Sequence, residues 1–140
     1  MLLLGGCPIS WSLKLQTEIA LSTLEAEYIA LSTRMRELHP QRELFQEIGN
    51  KMGLSYIQPM ILNSTIFEDN NGALQLAQVP KISPRTKHIA VKYHFFRDKI
   101  GEDKGILLKK VESVNQIADL FTKGLTSQLF EPLRKKLMGW

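Results

Sequence analysis

Three carboxylates, Glu27, Asp69 and Asp119, stand far apart in a chain of 140 residues, each close to where a secondary-structure element should begin or end. Glu27 falls in the first turns of a predicted helix, Asp69 at the end of a predicted strand, and Asp119 early in a late helix. Carboxylates brought together from separate elements can hold two divalent cations about 3.5–4 Å apart, flanking a scissile phosphate. Each residue also has a plainer use. Glu25 and Glu27 cannot serve alike, because two residues apart on a helix they point about 200° from one another. Glu25 stands three residues after Ser22 and completes a capping box. Glu27, among Leu24, Ala26, Tyr28 and Leu31, lies at or near the buried side, where a charge is costly unless paired or bound to metal. Asp69 is of a type favoured as a cap where a strand becomes a helix, although Asn70 or Asn71 could cap instead. Asp69 would then stand at the carboxyl end of a strand, where ligand sites in α/β sheets concentrate. An Asp in the first turns of a helix, such as Asp119, usually reflects the helix dipole.

The elements that must position these residues follow from pattern. Leu2–Leu4, Gly5-Gly6 and Ile9–Trp11 read as two short strands around a glycine turn. Ser22 starts a helix whose Leu24, Tyr28, Leu31, Met35 and Leu38 recur at helical spacing. Pro40 is expected to interrupt it and open a second segment carrying Leu44, Phe45 and Ile48, which Gly49 or Gly53 ends. Ile61, Leu62, Ile66 and Phe67 suggest a buried strand, and Ala73–Ala77 a helix after it. Pro80 and Pro84 bound a loop. Ile89, Tyr93, Phe96 and Ile100 form one apolar face of a helix expected from Thr86 to about Ile100. Ile106–Val111 reads as a strand, and Ser113 with Gln116 as a second capping box opening a helix through Phe121. A tail helix should turn Leu129, Phe130, Leu133 and Leu137 inward and Arg134, Lys135 and Lys136 outward. Strands followed by strands mixed with helices indicate an α/β or α+β domain with a mixed sheet.

Composition narrows the function classes. Hydrophobic residues make up 44% and charged residues 23% of the chain, which describes a globular protein rather than a disordered tail. A net charge of +4 fits a polyanionic partner without demanding one. The single Cys7 excludes an internal disulfide and reads as a small buried hydrophobe. No run reaches membrane-span length, and Met1-Leu2-Leu3-Leu4 lacks the features of a signal peptide. His88 and His94 fall on different faces of their helix with no Cys pair beside them, which argues against zinc. Trp11 and Tyr28 are expected in the core rather than as stacking platforms.

The segments around the three carboxylates go further. Ser22-Thr23-Leu24-Glu25-Ala26-Glu27-Tyr28, Phe67-Glu68-Asp69-Asn70-Asn71-Gly72-Ala73 and Gln116-Ile117-Ala118-Asp119-Leu120-Phe121-Thr122-Lys123 resemble the ribonuclease H domain of copia-type retrotransposon polyproteins. Gly5-Gly6-Cys7-Pro8-Ile9-Ser10-Trp11-Ser12 looks like the family's second and third strands. Arg85-Thr86-Lys87-His88-Ile89 with Tyr93-His94-Phe95 looks like its basic helix. The resemblance covers nearly the whole chain, as a ribonuclease H-like domain over residues 1–125 and a tail helix over 126–140. It implies an α/β fold with a mixed sheet flanked by helices, and cleavage of the RNA strand of RNA–DNA hybrids by two Mg²⁺, with Mn²⁺ as substitute. Glu27 matches the helix carboxylate, Asp69 the strand-end Asp and Asp119 the late Asp, as catalytic metal ligands.

The family carries one more Asp on a strand that would precede residue 1. Without that amino-terminal strand the chain alone is expected to be inactive or nearly so. Lys87, Lys92, Arg97 and Lys99, with Arg85 before them, are the expected contacts to nucleic-acid backbone, a salt-dependent grip that basic side chains supply. Asn70 and Asn71 could reach sugar hydroxyls or phosphates, with capping as their competing use. The expected partners are an RNA–DNA hybrid and the reverse transcriptase domain of the same polyprotein, in a cytoplasmic particle or the nucleus. The reading from another class is a non-catalytic remnant that grips nucleic acid or docks without cutting.

Overall fold

A computed structural model describes residues 1–54, 62–78, 89 and 91–140. They form two compact units, Met1–Ile19 with Val111–Trp140, and Ala20–Lys110. The chain is mixed α/β.

The larger unit is organised by helix α1, Thr23–Lys51. Ser22 caps it, its hydroxyl accepting from the Glu25 amide at 3.2 Å. Glu25 reaches back as a capping-box residue should, although its Oε2 accepts from the Leu21 amide at 2.8 Å. Tyr28, Leu31, Met35 and Leu38 form the expected buried stripe. The expectation at Pro40 is overturned, because α1 runs through it without a break. Pro40 and Arg36, whose carbonyl loses its helix donor, are both exposed, so water can replace the missing N–H. Beyond the proline the helix is also tied down. Arg42 donates to Ser64 Oγ at 2.7 Å and to the carbonyls of Gly105 and Lys104 at 2.8 and 3.2 Å. The helix ends at Met52, whose N–H bonds the Ile48 carbonyl, just before Gly53 at φ 76°.

Strands β3, Ser64–Glu68, and β4, Ile106–Lys110, pair in parallel from Ser64↔Ile106 to Glu68↔Lys110. The β3 strand is half-buried rather than buried throughout. Phe67 is 54% exposed while Glu68 is buried, as the two-residue alternation of a strand dictates. Ile61 lies outside the described residues. Helix α2, Asn71–Gln78, buries Ala73, Leu74, Leu76 and Ala77 and packs on α1 and both strands.

The helix expected up to Ile100 is not one in its described part. Val91–Tyr93 and Arg97–Lys99 are short 3₁₀ turns. Aromatic and β-branched residues over 91–96 lose side-chain freedom in an α-helix, and three residues per 3₁₀ turn set side chains three apart over one another. Tyr93 and Phe96, with Ile89, are accordingly buried.

In the smaller unit β1, Leu2–Leu4, pairs antiparallel with β2, Cys7–Ser10. Gly5 and Gly6, at φ 57° and 85°, make the turn, the positive angles glycine tolerates. Cys7 is exposed and Trp11 is 65% exposed, so neither is the core residue expected of it; the two-stranded hairpin has no second buried face to offer them. The expected helix over 113–121 is instead a pair of 3₁₀ turns, Ser113–Asn115 and Ile117–Phe121, with no side-chain cap. Helix α3, Ser127–Met138, buries Leu133 fully, while Leu129 and Phe130 are 38% and 41% exposed.

Candidate functional site

Two of the three carboxylates singled out by sequence lie in the larger unit, and a third joins them that sequence reasoning passed over. The cap of α2 falls to Asn70, whose Oδ1 accepts from the Ala73 amide at 3.1 Å. Asp69 therefore stands at the carboxyl end of β3 with the capping task assigned to its neighbour. Its carbonyl accepts from Lys110 Nζ, at the corresponding end of β4. Glu68, the last residue of β3, is buried, and its Oε1 accepts from the Asn70 amide at 2.9 Å. Burial pushes the Glu68 carboxyl up to about 7, and the negative charges of Glu27 and Asp69 push the same way. The Asn70 amide and Lys110 oppose the shift and do not cancel it. Glu27, Glu68 and Asp69 thus share one patch of negative potential, built from α1 and the end of β3. The signal for Glu68 was in the period-two pattern, which sets it on the Ser64 and Ile66 side of the strand.

Asp119 belongs to the smaller unit. It is buried at the start of the 117–121 turn and pairs with Lys123 at 2.9 Å, four residues on. Its own N–H bonds the Gln116 carbonyl at 3.1 Å.

As donors for a divalent ion, carboxylate oxygens suit a hard cation such as Mg²⁺, and a cation beside Glu27 and Asp69 would offset the negative charge that adds to burial at Glu68. The donor chemistry fits. Among the described residues, however, no three His, Cys, Asp or Glu side chains are gathered closely enough to enclose an ion. The larger unit supplies charge and donor type without a finished cage.

The expected backbone contacts divide. Arg85 and Lys87 lie outside the described residues. Lys92 is exposed, its ammonium 4.9 Å from the Tyr93 ring centroid. Lys99 is half-buried. Arg97 turns inward, its Nε donating to the Tyr28 hydroxyl at 2.9 Å and its guanidinium 5.7 Å from the Tyr28 ring centroid. Asn71 is exposed at the first position of α2. Tyr28 is fully buried, as expected. Its hydroxyl also meets His94 Nδ1 at 2.8 Å. No described helix is long and apolar enough to cross a membrane.

The chain is 34% identical over 135 residues to the retrovirus-related Pol polyprotein from transposon TNT 1-94 of Nicotiana tabacum. It is 34% identical over 134 residues to that from transposon RE2 of Arabidopsis thaliana, and 33% over 134 residues to that from transposon RE1 of the same plant. Each alignment takes in 96% of this chain and only 8 or 9% of the relative. Its homologues are thus copia-type retrotransposon Pol polyproteins, and it corresponds to a short stretch of them. No family model matches the chain, and no solved structure matches it.

Proposed function

We propose that the chain is a ribonuclease H-like domain of a retrotransposon Pol polyprotein, directed at the RNA strand of RNA–DNA hybrids. The observation that carries this reading is the place of Asp69 at the carboxyl end of β3, near enough, with Glu27, for both negative charges to add to the burial that raises the Glu68 carboxyl. Such perturbed groups concentrate at functional sites. Glu27 and Asp69 would hold a divalent cation, with Asp119 as the third expected ligand. Bound Mg²⁺ would supply the charge that activates water and stabilises the leaving oxygen. The chain's own residues hold the carboxylates in place: the Ser22 cap fixes the start of α1, and the Asn70 cap fixes the turn after Asp69. Lys92 would contribute to the grip on backbone phosphates.

Cleavage of an end-labelled RNA strand in a hybrid, with Mg²⁺, tests the reading. The chain alone should cut slowly or not at all, because none of its residues matches the further Asp of the ribonuclease H family. A form extended at the amino end by a strand bearing an Asp should cut, and Asp69→Asn in that form should abolish cutting. A folded extended form that fails to cut would overturn the proposal.

One observation favours the non-catalytic reading, namely the lack of a three-ligand group among the described residues. Hybrid binding that is lost at high salt, by an extended form unable to cut, would support it.

A further inference from the structure

The larger unit carries a second polar site at the other end of its strand pair. Ser64 and Ile106 begin the β3–β4 ladder and Glu68 and Lys110 end it. At about 3.3 Å per residue the two ends are about 13 Å apart. Beside the first end lies a cleft of about 310 Å³, a size within the range of small-molecule sites. It is lined by His39, Arg42 and Glu43 on α1, Asp98 and Lys99 on the second 3₁₀ turn, Lys104 just before β4 and Ile106 at its start.

Its chemistry is mixed in a particular way. Three cations, Arg42, Lys99 and Lys104, face two carboxylates, Glu43 and Asp98. Among the described residues the side chains of Glu43, Asp98 and Lys99 form no ion pair with one another. Arg42 is fixed by three hydrogen bonds to Ser64, Gly105 and Lys104. Gly105 makes room for it, since a Cβ there would lie 3.2 Å from Arg42 Nη2. His39 lines the cleft as well, with its Nε2 shielded from solvent.

An anion alone would suit the cations and be repelled by the carboxylates. A cation alone would meet the reverse. A ligand carrying a phosphate beside hydroxyl donors satisfies both, because carboxylates accept from ribose hydroxyls as readily as lysines bind phosphate. We propose that this cleft binds a ribonucleotide unit, with the phosphate on Lys99, Lys104 and Arg42 and the ribose hydroxyls on Glu43 or Asp98. The site is separate from the Glu27 and Asp69 carboxylates, and the inference does not rest on hybrid cleavage.

The probe is 5′-AMP, followed through the His39 ring signals in NMR, with the half-buried His94 as internal control. Saturable shifts at His39 and none at His94 are expected, with weaker binding of 2′-deoxy-AMP and of inorganic phosphate. Lys99→Ala should weaken AMP roughly fivefold to tenfold while leaving the remaining spectrum unchanged. Displacement of AMP by single-stranded RNA, but not by DNA of the same sequence, would assign the site to a unit of polymer. AMP held against both would assign it to the free nucleotide. Absence of a saturable His39 shift, equal binding of phosphate and AMP, or undiminished binding by Lys99→Ala would each overturn the proposal.

Discussion

The Tyr28 hydroxyl lies 2.8 Å from His94 Nδ1 across 66 residues of sequence, and Arg97 Nε donates to that same hydroxyl at 2.9 Å. Arginine can only donate, so the Tyr28 oxygen accepts from Arg97, and the same hydroxyl bonds His94. Burial and the Arg97 charge both lower the His94 pKa, against an opposing pull from the Ile89 carbonyl. Tyr28→Phe removes the shared oxygen and strands a buried guanidinium N–H and an imidazole nitrogen. A loss of roughly 1–3 kcal/mol in urea unfolding is expected. An unchanged midpoint would show that the network contributes nothing net.

Asn70 gives a smaller and cleaner case. Its Oδ1 is the side-chain cap of an eight-residue helix, too short to be stable by itself. Asn70→Ala should lower stability by about 1 kcal/mol, and Asn70→Asp should restore most of it. If Asn70→Asp is as unstable as Asn70→Ala, the side chain matters for something other than capping.

The parts legible in sequence were those decided locally. Ser22 with Glu25 announced the start of α1, and the run of Tyr28, Leu31, Met35 and Leu38 gave its buried face. Gly5-Gly6 gave the hairpin, and Ile106 onward gave β4. Pro40 misled because local cost was outweighed by anchoring from Arg42, which bonds residues 22 and more positions away. The 91–99 segment misled because apolar residues three apart, such as Tyr93 and Phe96, share one face in α and 3₁₀ geometry alike. Glu68 was overlooked since Asp69 beside it carried the family resemblance. Its importance comes from burial and from the nearness of Glu27, neither of which a linear pattern states.

Gly105 tests the tie between α1 and the strands. At φ 63° it adopts a backbone conformation that L side chains rarely take, and a Cβ would lie 2.9 Å from the Leu62 carbonyl oxygen and 3.2 Å from Arg42 Nη2. Gly105→Ala should cost about 1–3 kcal/mol from strain, with a further loss if Arg42 is displaced. A double cycle with Arg42→Met separates the two. Additive effects would mean that Gly105 acts through its backbone alone.

Glu68 makes a prediction about pH whose sign is fixed by linkage. Its carboxyl, ordinarily near 4.5, is raised to about 7 in the folded chain. Between those two values the folded state holds a proton that the unfolded state has lost, so stability falls as pH rises through that window. Below it Glu68 is neutral in both states, and above it the full penalty of a buried charge beside Glu27 and Asp69 is present. Glu68→Gln stays neutral and keeps an oxygen for the Asn70 amide. The variant should match the parent at about pH 4 and exceed it by roughly 1–3 kcal/mol at about pH 8. Parallel stability curves for the two would show that Glu68 does not titrate in this window. Added Mg²⁺ supplies a second readout, independent of any cleavage. A cation held by Glu27 and Asp69 would pull the Glu68 pKa down, and the advantage of Glu68→Gln at high pH would shrink. An advantage untouched by Mg²⁺ would mean that these carboxylates do not bind it.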